Sequence, residues 1–164
     1  MAIYTLRRTA RLSATRAQAW SFFSDPRNLS RITPPGLGFT IVSQVPLKVH
    51  AGLMIKYRVK PLMGLPLTWL SEITHLSEGE YFVDEQRRGP YSMWHHEHHF
   101  RDAPGGGVEM EDIVTYIPPF GPLGALLHPF LIAPQLRKIF DHRERVMSEV
   151  FFSPSFIKSV DNVF

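Results

Sequence analysis

The sequence contains no cysteine. That excludes disulfide cross-links and thiol catalysis, and it suits a reducing, cytoplasmic setting. Long uninterrupted apolar runs are missing too. The most apolar stretch, Ile117 to Leu136, is interrupted by Pro118, Pro119, Pro122, Pro129 and Pro134. Each proline removes a helical N–H and crowds the preceding turn, so neither a spanning helix nor stable membrane insertion is expected. The N-terminal MAIYTLRRTARLSA has no apolar segment of the kind a signal peptide needs. Charge is not strongly one-sided: 18 Lys and Arg against 15 Asp and Glu give a net +3. Arg7, Arg8 and Arg11 form the one basic cluster, too small to argue for a nucleic-acid partner. A solvated strand face is the simpler use for it. There is no glycine-rich phosphate loop, CxxC pair or Ser-His-Asp signature, and no cofactor is expected.

What the chain does have is aromatic side chains, with twelve Phe and three Trp, and a hydrophobic content of 44%. A chain of 164 residues suits one domain with one core. We place that domain at 1–152, with 153–164 as a tail that is either frayed or docked.

The densest chemistry lies in residues 84–100, DEQRRGPYSMWHHEHHF. Gly89-Pro90 is a turn signal, because Gly takes positive φ freely and Pro fixes φ. In the strand that follows, Trp94, His96, His98 and Phe100 share one face, while Met93, His95, Glu97 and His99 share the other. His95 and His99 are expected in solvent. The stretch therefore reads as a hairpin with an aromatic and imidazole face.

Taken in order, the chain opens with a strand over 3–12. Ser13 and Thr15 are both possible N-caps for a short helix at 17–23, with Trp20 and Phe23 inward. Asp25-Pro26 caps and starts a second short helix. Strands are expected at 39–45, 52–59, 67–76, 81–87, across the Trp94 stretch, and at 108–116. In the last of these, Val108, Met110, Asp112, Val114 and Tyr116 share a side. Pro61 to Pro66 reads as a loop, and 121–134 as a short helix or an ordered loop. Pro129 and Pro134 predict a break or kink there, with Leu126, Leu127 and Phe130 at a cavity mouth. Pro134 then suits the first position of a long helix, 135–152. Leu136, Ile139, Phe140, Met147, Val150 and Phe151 form its apolar stripe, and Asp141, Arg143, Glu144 and Arg145 occupy the rest.

This order resembles the helix-grip fold of the START-like (SRPBCC) superfamily, which includes polyketide cyclases and birch-pollen-allergen-like proteins. Local wording strengthens the resemblance: Pro66-Leu67-Thr68-Trp69, Phe82-Val83-Asp84-Glu85-Gln86, Gly89-Pro90-Tyr91, the Trp94-to-Phe100 run and Gly121-Pro122-Leu123-Gly124. These look like a bacterial branch of ligand-binding SRPBCC proteins. The resemblance covers about residues 3–152. It implies an α+β architecture in which a curved antiparallel sheet of six or seven strands wraps around a long C-terminal helix, with two short helices after the first strand. It also implies a cavity between sheet and helix, and fold alone leaves the function open.

Assigning faces by the apolar side of each strand points Tyr57, Trp69, Ile73, Phe82, Asp84, Trp94, His96, His98, Phe100, Met110, Asp112 and Tyr116 inward. Leu136, Phe140 and Met147 would come from the helix, and Phe130 from the mouth. Asp84, His96, His98 and Asp112 are the polar members. Two His at i and i+2 on a strand point the same way, so a carboxylate could complete a metal site with them. A buried imidazole-carboxylate network without metal is the preferred reading. Three functions compete. One is binding of a hydrophobic or amphipathic small molecule, lipid- or polyketide-like. Another is a cyclase or dehydratase using a His/Asp acid-base pair. The third is a lipid carrier gated by 118–134 at a membrane surface.

Overall fold

The computed structural model describes residues 2–60 and 64–152. The tail and part of the 61–66 loop lie outside these residues. The elements run β1 (Tyr4–Leu12), α1 (Arg16–Phe23), two 3-10 helices (Pro26–Ser30 and Pro35–Leu37), β2 (Thr40–Ile41), β3 (Met54–Val59), β4 (Leu67–Ser77), β5 (Tyr81–Arg88), β6 (Met93–Asp102) and β7 (Val108–Ile117). A helical stretch follows: α2 (Gly121–Leu127), a π-helical segment (His128–Ile132) and α3 (Ala133–Phe152). All strand pairs are antiparallel, in the order β1-β7-β6-β5-β4-β3-β2. The sheet is curved and unclosed, and the C-terminal helix of 32 residues completes an α+β helix-grip architecture.

Local chemistry accounts for the element boundaries. Thr15, not Ser13, caps α1. Its hydroxyl accepts from the Gln18 N–H, and the Gln18 side chain accepts from the Thr15 N–H, so two orphan donors are satisfied reciprocally. Asp25 caps the first 3-10 helix with Pro26 at its first position. Gly107 holds a positive φ where an added Cβ would lie 2.5 Å from the Leu12 carbonyl oxygen, so the glycine lets the β6–β7 turn approach β1.

The strand expected at 39–45 shrinks to Thr40–Ile41. The Ser43 hydroxyl, instead of a backbone carbonyl, accepts the Lys56 N–H, and Pro46 follows soon after. A side chain that takes a ladder bond ends the ladder.

The irregularity expected near Pro129 to Pro134 is present as a widened turn, and the helix is not broken. The chain widens into a π turn, in which the Ala133 N–H reaches the His128 carbonyl five residues back. A local π turn accommodates inserted geometry without ending the helix. Pro134 therefore lies inside the helical stretch and does not start it.

Gly124 seats α2 on the chain before it. A Cβ there would lie 1.7 Å from the Pro119 carbonyl oxygen, and no side-chain rotation relieves contact with backbone. Gly124→Ala is expected to cost about 1–3 kcal/mol through forced displacement of α2. The exposed neighbour substitution Leu123→Ala should stay within about 0.5 kcal/mol. Urea unfolding of the two variants checks this, and equal effects would mean that α2 is not seated on Pro119.

Candidate functional site

The β5–β6 hairpin builds the site. Gln86 folds over the Gly89-Pro90 turn, donating to the Tyr91 carbonyl at 2.7 Å and accepting from its N–H at 3.2 Å. That clamp holds Tyr91 beside Trp94, 4.8 Å between ring centroids, and beside Trp69 at 5.8 Å. Beyond the turn, β6 pairs His96 with Asp84 on β5 and His98 with Asp112 on β7. Because strand side chains alternate, the two imidazoles project inward together between two carboxylates.

The contacts are both direct and diagonal. His98 Nδ1 lies 2.8 Å from Asp112 Oδ1, and its Nε2 lies 3.1 Å from Asp84 Oδ1. His96 Nε2 lies 3.0 Å from Asp112 Oδ1, and its Nδ1 lies 3.5 Å from Asp84 Oδ1. Arg143 closes the cluster from α3, donating to Asp112 Oδ1 at 3.2 Å. Its guanidinium carbon also stands 5.6 Å from the Phe23 ring centroid and 5.9 Å from that of Phe140.

The electrostatics assign the protons. Burial raises both carboxyls, but at Asp112 the Arg143 charge and bonds from both imidazoles hold it well below the usual range. Asp84 is likewise held low against burial, chiefly by its bond from His98. Burial pushes His98 down, but its bonds to Asp112 and Asp84 outweigh burial and raise it. His96 is lowered by burial and by the neighbouring His98 charge. The opposite shifts mean that His98 holds a proton in preference to His96, and each of its ring nitrogens faces a carboxylate. Arg143 also approaches His98 Nδ1 at 3.3 Å, above the shared Asp112 carboxylate. With His98 protonated, two carboxylates, one imidazolium and one guanidinium sum to zero. Buried charge is tolerable only when paired and hydrogen-bonded in this way.

A cavity of about 190 Å³ lies against this cluster. Of the residues expected to face it, Tyr57, Trp69, Ile73, Phe82, Asp84, Trp94, His96, His98, Leu136 and Phe140 line it. Phe100 and Met110 are buried beside it in the core. Asp112 lies behind the imidazoles and Tyr116 behind Trp94, so neither is among the lining residues. Phe130 is a correction. It is 74% exposed, and neither it nor Leu126 or Leu127 lines the cavity, because Gly124 turns the opposite face of α2 inward. His95 and His99 are half-buried, not free in solvent, and lie beside Glu85 and Glu97 at 2.9 and 3.0 Å.

The cavity wall supplied by Phe22, Leu29, Ile32, Leu37 and Phe39 escaped the sequence reading, and so did two buried titratable side chains. Arg143, placed on the outer face of the helix, is 6% exposed. Its register was legible: 136, 140, 143, 147 and 151 form one helical stripe, and only its charge hid it. His128 is buried in the π segment, with Nε2 2.8 Å from the Tyr116 hydroxyl and its ring stacked on Tyr4 at 3.5 Å. No sequence pattern pointed to it.

Asp84, His96 and His98 also present ligand atoms within 4.8 Å of one another, near enough to share a cation. The guanidinium of Arg143 beside them, and the proton that His98 shares with both carboxylates, oppose a second positive charge.

No protein-family model matches the chain, and no curated protein matches it in sequence. Solved structures do match. The Zhui aromatase/cyclase from Streptomyces sp. R1128 aligns with TM-score 0.69 at 13% identity, covering 89% of this chain and 92% of that one. Protein CV1439 from Chromobacterium violaceum gives 0.66 at 16%, covering 91% and 98%. Ara h 8.0201 gives 0.60 at 16%, covering 89% and 98%. The fold shared with these structures is the helix-grip fold. Likeness at such identities speaks to fold and not to activity.

Proposed function

We propose that this chain binds a small, largely apolar molecule carrying one polar group, held between the sheet and α3. The observation that carries this reading is the position of the charged cluster, which forms one wall of a cavity lined mostly by aromatic and aliphatic side chains and pairs its charges within itself. An apolar pocket with a few convergent polar groups is the usual small-molecule site. The volume sets a scale. An engineered cavity of about 150 Å³ accepts benzene, so about 190 Å³ takes a compact ring system. A longer lipid- or polyketide-like chain has to reach out past the rim.

A cyclase or dehydratase is the second reading. It is favoured by Asp84, the half-buried member of the cluster, which shares a proton with His98 at the cavity wall. Substitution separates the two. If the cluster shapes the pocket, His96→Gln and His98→Gln should each cost about 1–3 kcal/mol of stability and change which ligands bind. If it is catalytic, binding should persist while turnover of the ligand disappears. Native mass spectrometry of untagged protein from its own host supplies the ligand for both assays. Purification without any apolar ligand, together with failure to bind a panel of ring compounds, would refute the binding reading. Stoichiometric zinc or iron lost on His96→Gln would replace the metal-free cluster with a metal centre.

A further inference from the structure

The helical stretch after β7 has an apolar side that faces away from the protein. Phe120, Leu123, Leu126, Leu127, Phe130 and Leu131 recur at helical spacing and are all exposed, Phe120 by 75% and Phe130 by 74%. Gly124 fixes this orientation, since its face is the one seated on Pro119. Phe120 is costlier still. It holds a left-handed φ of 62°, a conformation that bulky residues avoid, and it spends that strain on presenting a ring to solvent.

The stripe sits at the rim of the cavity. β7 ends and β1 begins at the same end of the sheet, where β5 turns into β6 and β4 starts. Half-buried lining residues gather there too: Trp69, Tyr91, Gln135 and Ile139. Charge at this end has one sign. No Asp or Glu occurs between Asp112 and Asp141, while Arg137 and Lys138 follow the stripe on the exposed side.

We infer that this face docks reversibly on the surface of an anionic lipid bilayer. Leu and Phe side chains enter the headgroup boundary, Arg137 and Lys138 meet lipid phosphates, and the cavity rim lies at the bilayer. An apolar helix side flanked by cations is the pattern of an interfacial helix. A second copy of the chain fits less well, because an isologous pairing through the stripe brings two sets of uncompensated cations together. Spanning is not implied: among the described residues no helix is long and apolar enough to cross a membrane.

The test is flotation of the full chain with vesicles of phosphatidylglycerol and phosphatidylcholine, against vesicles of phosphatidylcholine alone. The expected result is partitioning onto the anionic vesicles that weakens with salt. Phe120→Ser with Phe130→Ser should lower partitioning by at least about tenfold, since both rings lose their burial in lipid. Arg137→Gln with Lys138→Gln should lower it about fivefold per charge and abolish the anionic preference. All four positions are exposed, so unchanged thermal melting confirms intact folds. Absence of wild-type flotation overturns the inference, as does flotation unaffected by the two Ser substitutions. Sedimentation showing a wild-type dimer that Phe120→Ser with Phe130→Ser dissociates would assign the face to self-association instead.

Discussion

Arg143→Leu should lower the unfolding free energy by about 3–5 kcal/mol, the range for removing one partner from a buried charge network. Leucine matches much of the apolar stem, so little packing is lost. What remains is two carboxylates against one imidazolium, with Asp112 deprived of the charge that most opposes its burial. The variant can restore balance by taking a second proton onto His96. The pH dependence of the loss follows from this, with signs fixed by linkage. In the wild type Asp84 and Asp112 are depressed, so their contribution is present above about pH 4 and lost as pH falls through their folded values. His98 is raised, so its contribution is complete below about pH 6.5 and lost as pH rises through its folded value. His96 is lowered, and its contribution is lost as pH falls below about 6.5. The two windows meet at the unfolded value, so the histidines give the wild type a stability maximum near about pH 6.5 that falls away on either side. Without Arg143, which pushes His98 down, the folded variant holds more protons than the unfolded chain above about pH 6.5, and its stability falls as pH rises. Urea unfolding should show a larger deficit at about pH 8 than at about pH 6. A loss below about 1 kcal/mol, or a deficit that ignores pH, would show that Arg143 does not balance this cluster.

The same residue shows how far the sequence could be read. Period-two alternation in 54–59, 93–102 and 108–117 identified which strand faces look inward, because burial on one face pins register. His96, His98 and Asp112 followed from that alternation, and Asp84 from its place two residues after Phe82 on β5. Arg143 did not, because an apolar stripe is recognised by composition and a guanidinium interrupts it. What places Arg143 inward is a pair of carboxylates distant in sequence, one on each strand flanking β6. The prolines at 129 and 134 left the form of the irregularity open for a related reason. Their local chemistry permits either a broken helix or a widened one. The seat of Gly124 on Pro119, the stacking of His128 on Tyr4 and its hydrogen bond with Tyr116 lie on the widened side. Those contacts also turn Phe130 outward, so an apolar residue that composition sends inward is left exposed.

Phe140→Ala should cost about 3–5 kcal/mol, the range for deleting a buried phenyl ring. Phe140 is 5% exposed and packs with Trp94, Val114, Tyr116 and Leu136. Its ring meets His96 edge-on at 5.7 Å, so it both clamps α3 to the sheet and shields one side of the charged cluster. Truncation enlarges an existing cavity, into which neighbours can only partly collapse, and lets water approach His96. Both effects lower stability. An exposed control on the same helix, Phe152→Ala, should stay within about 0.5 kcal/mol. The enlarged cavity supplies a second readout. Benzene or a similar ring compound should raise the melting temperature of Phe140→Ala more than that of the wild type, since a ligand that binds the folded state stabilises it by mass action. A loss below about 1 kcal/mol would show that this helix face is not the clamp. Equal ring-compound shifts in the two proteins would show that the phenyl ring does not border the binding volume.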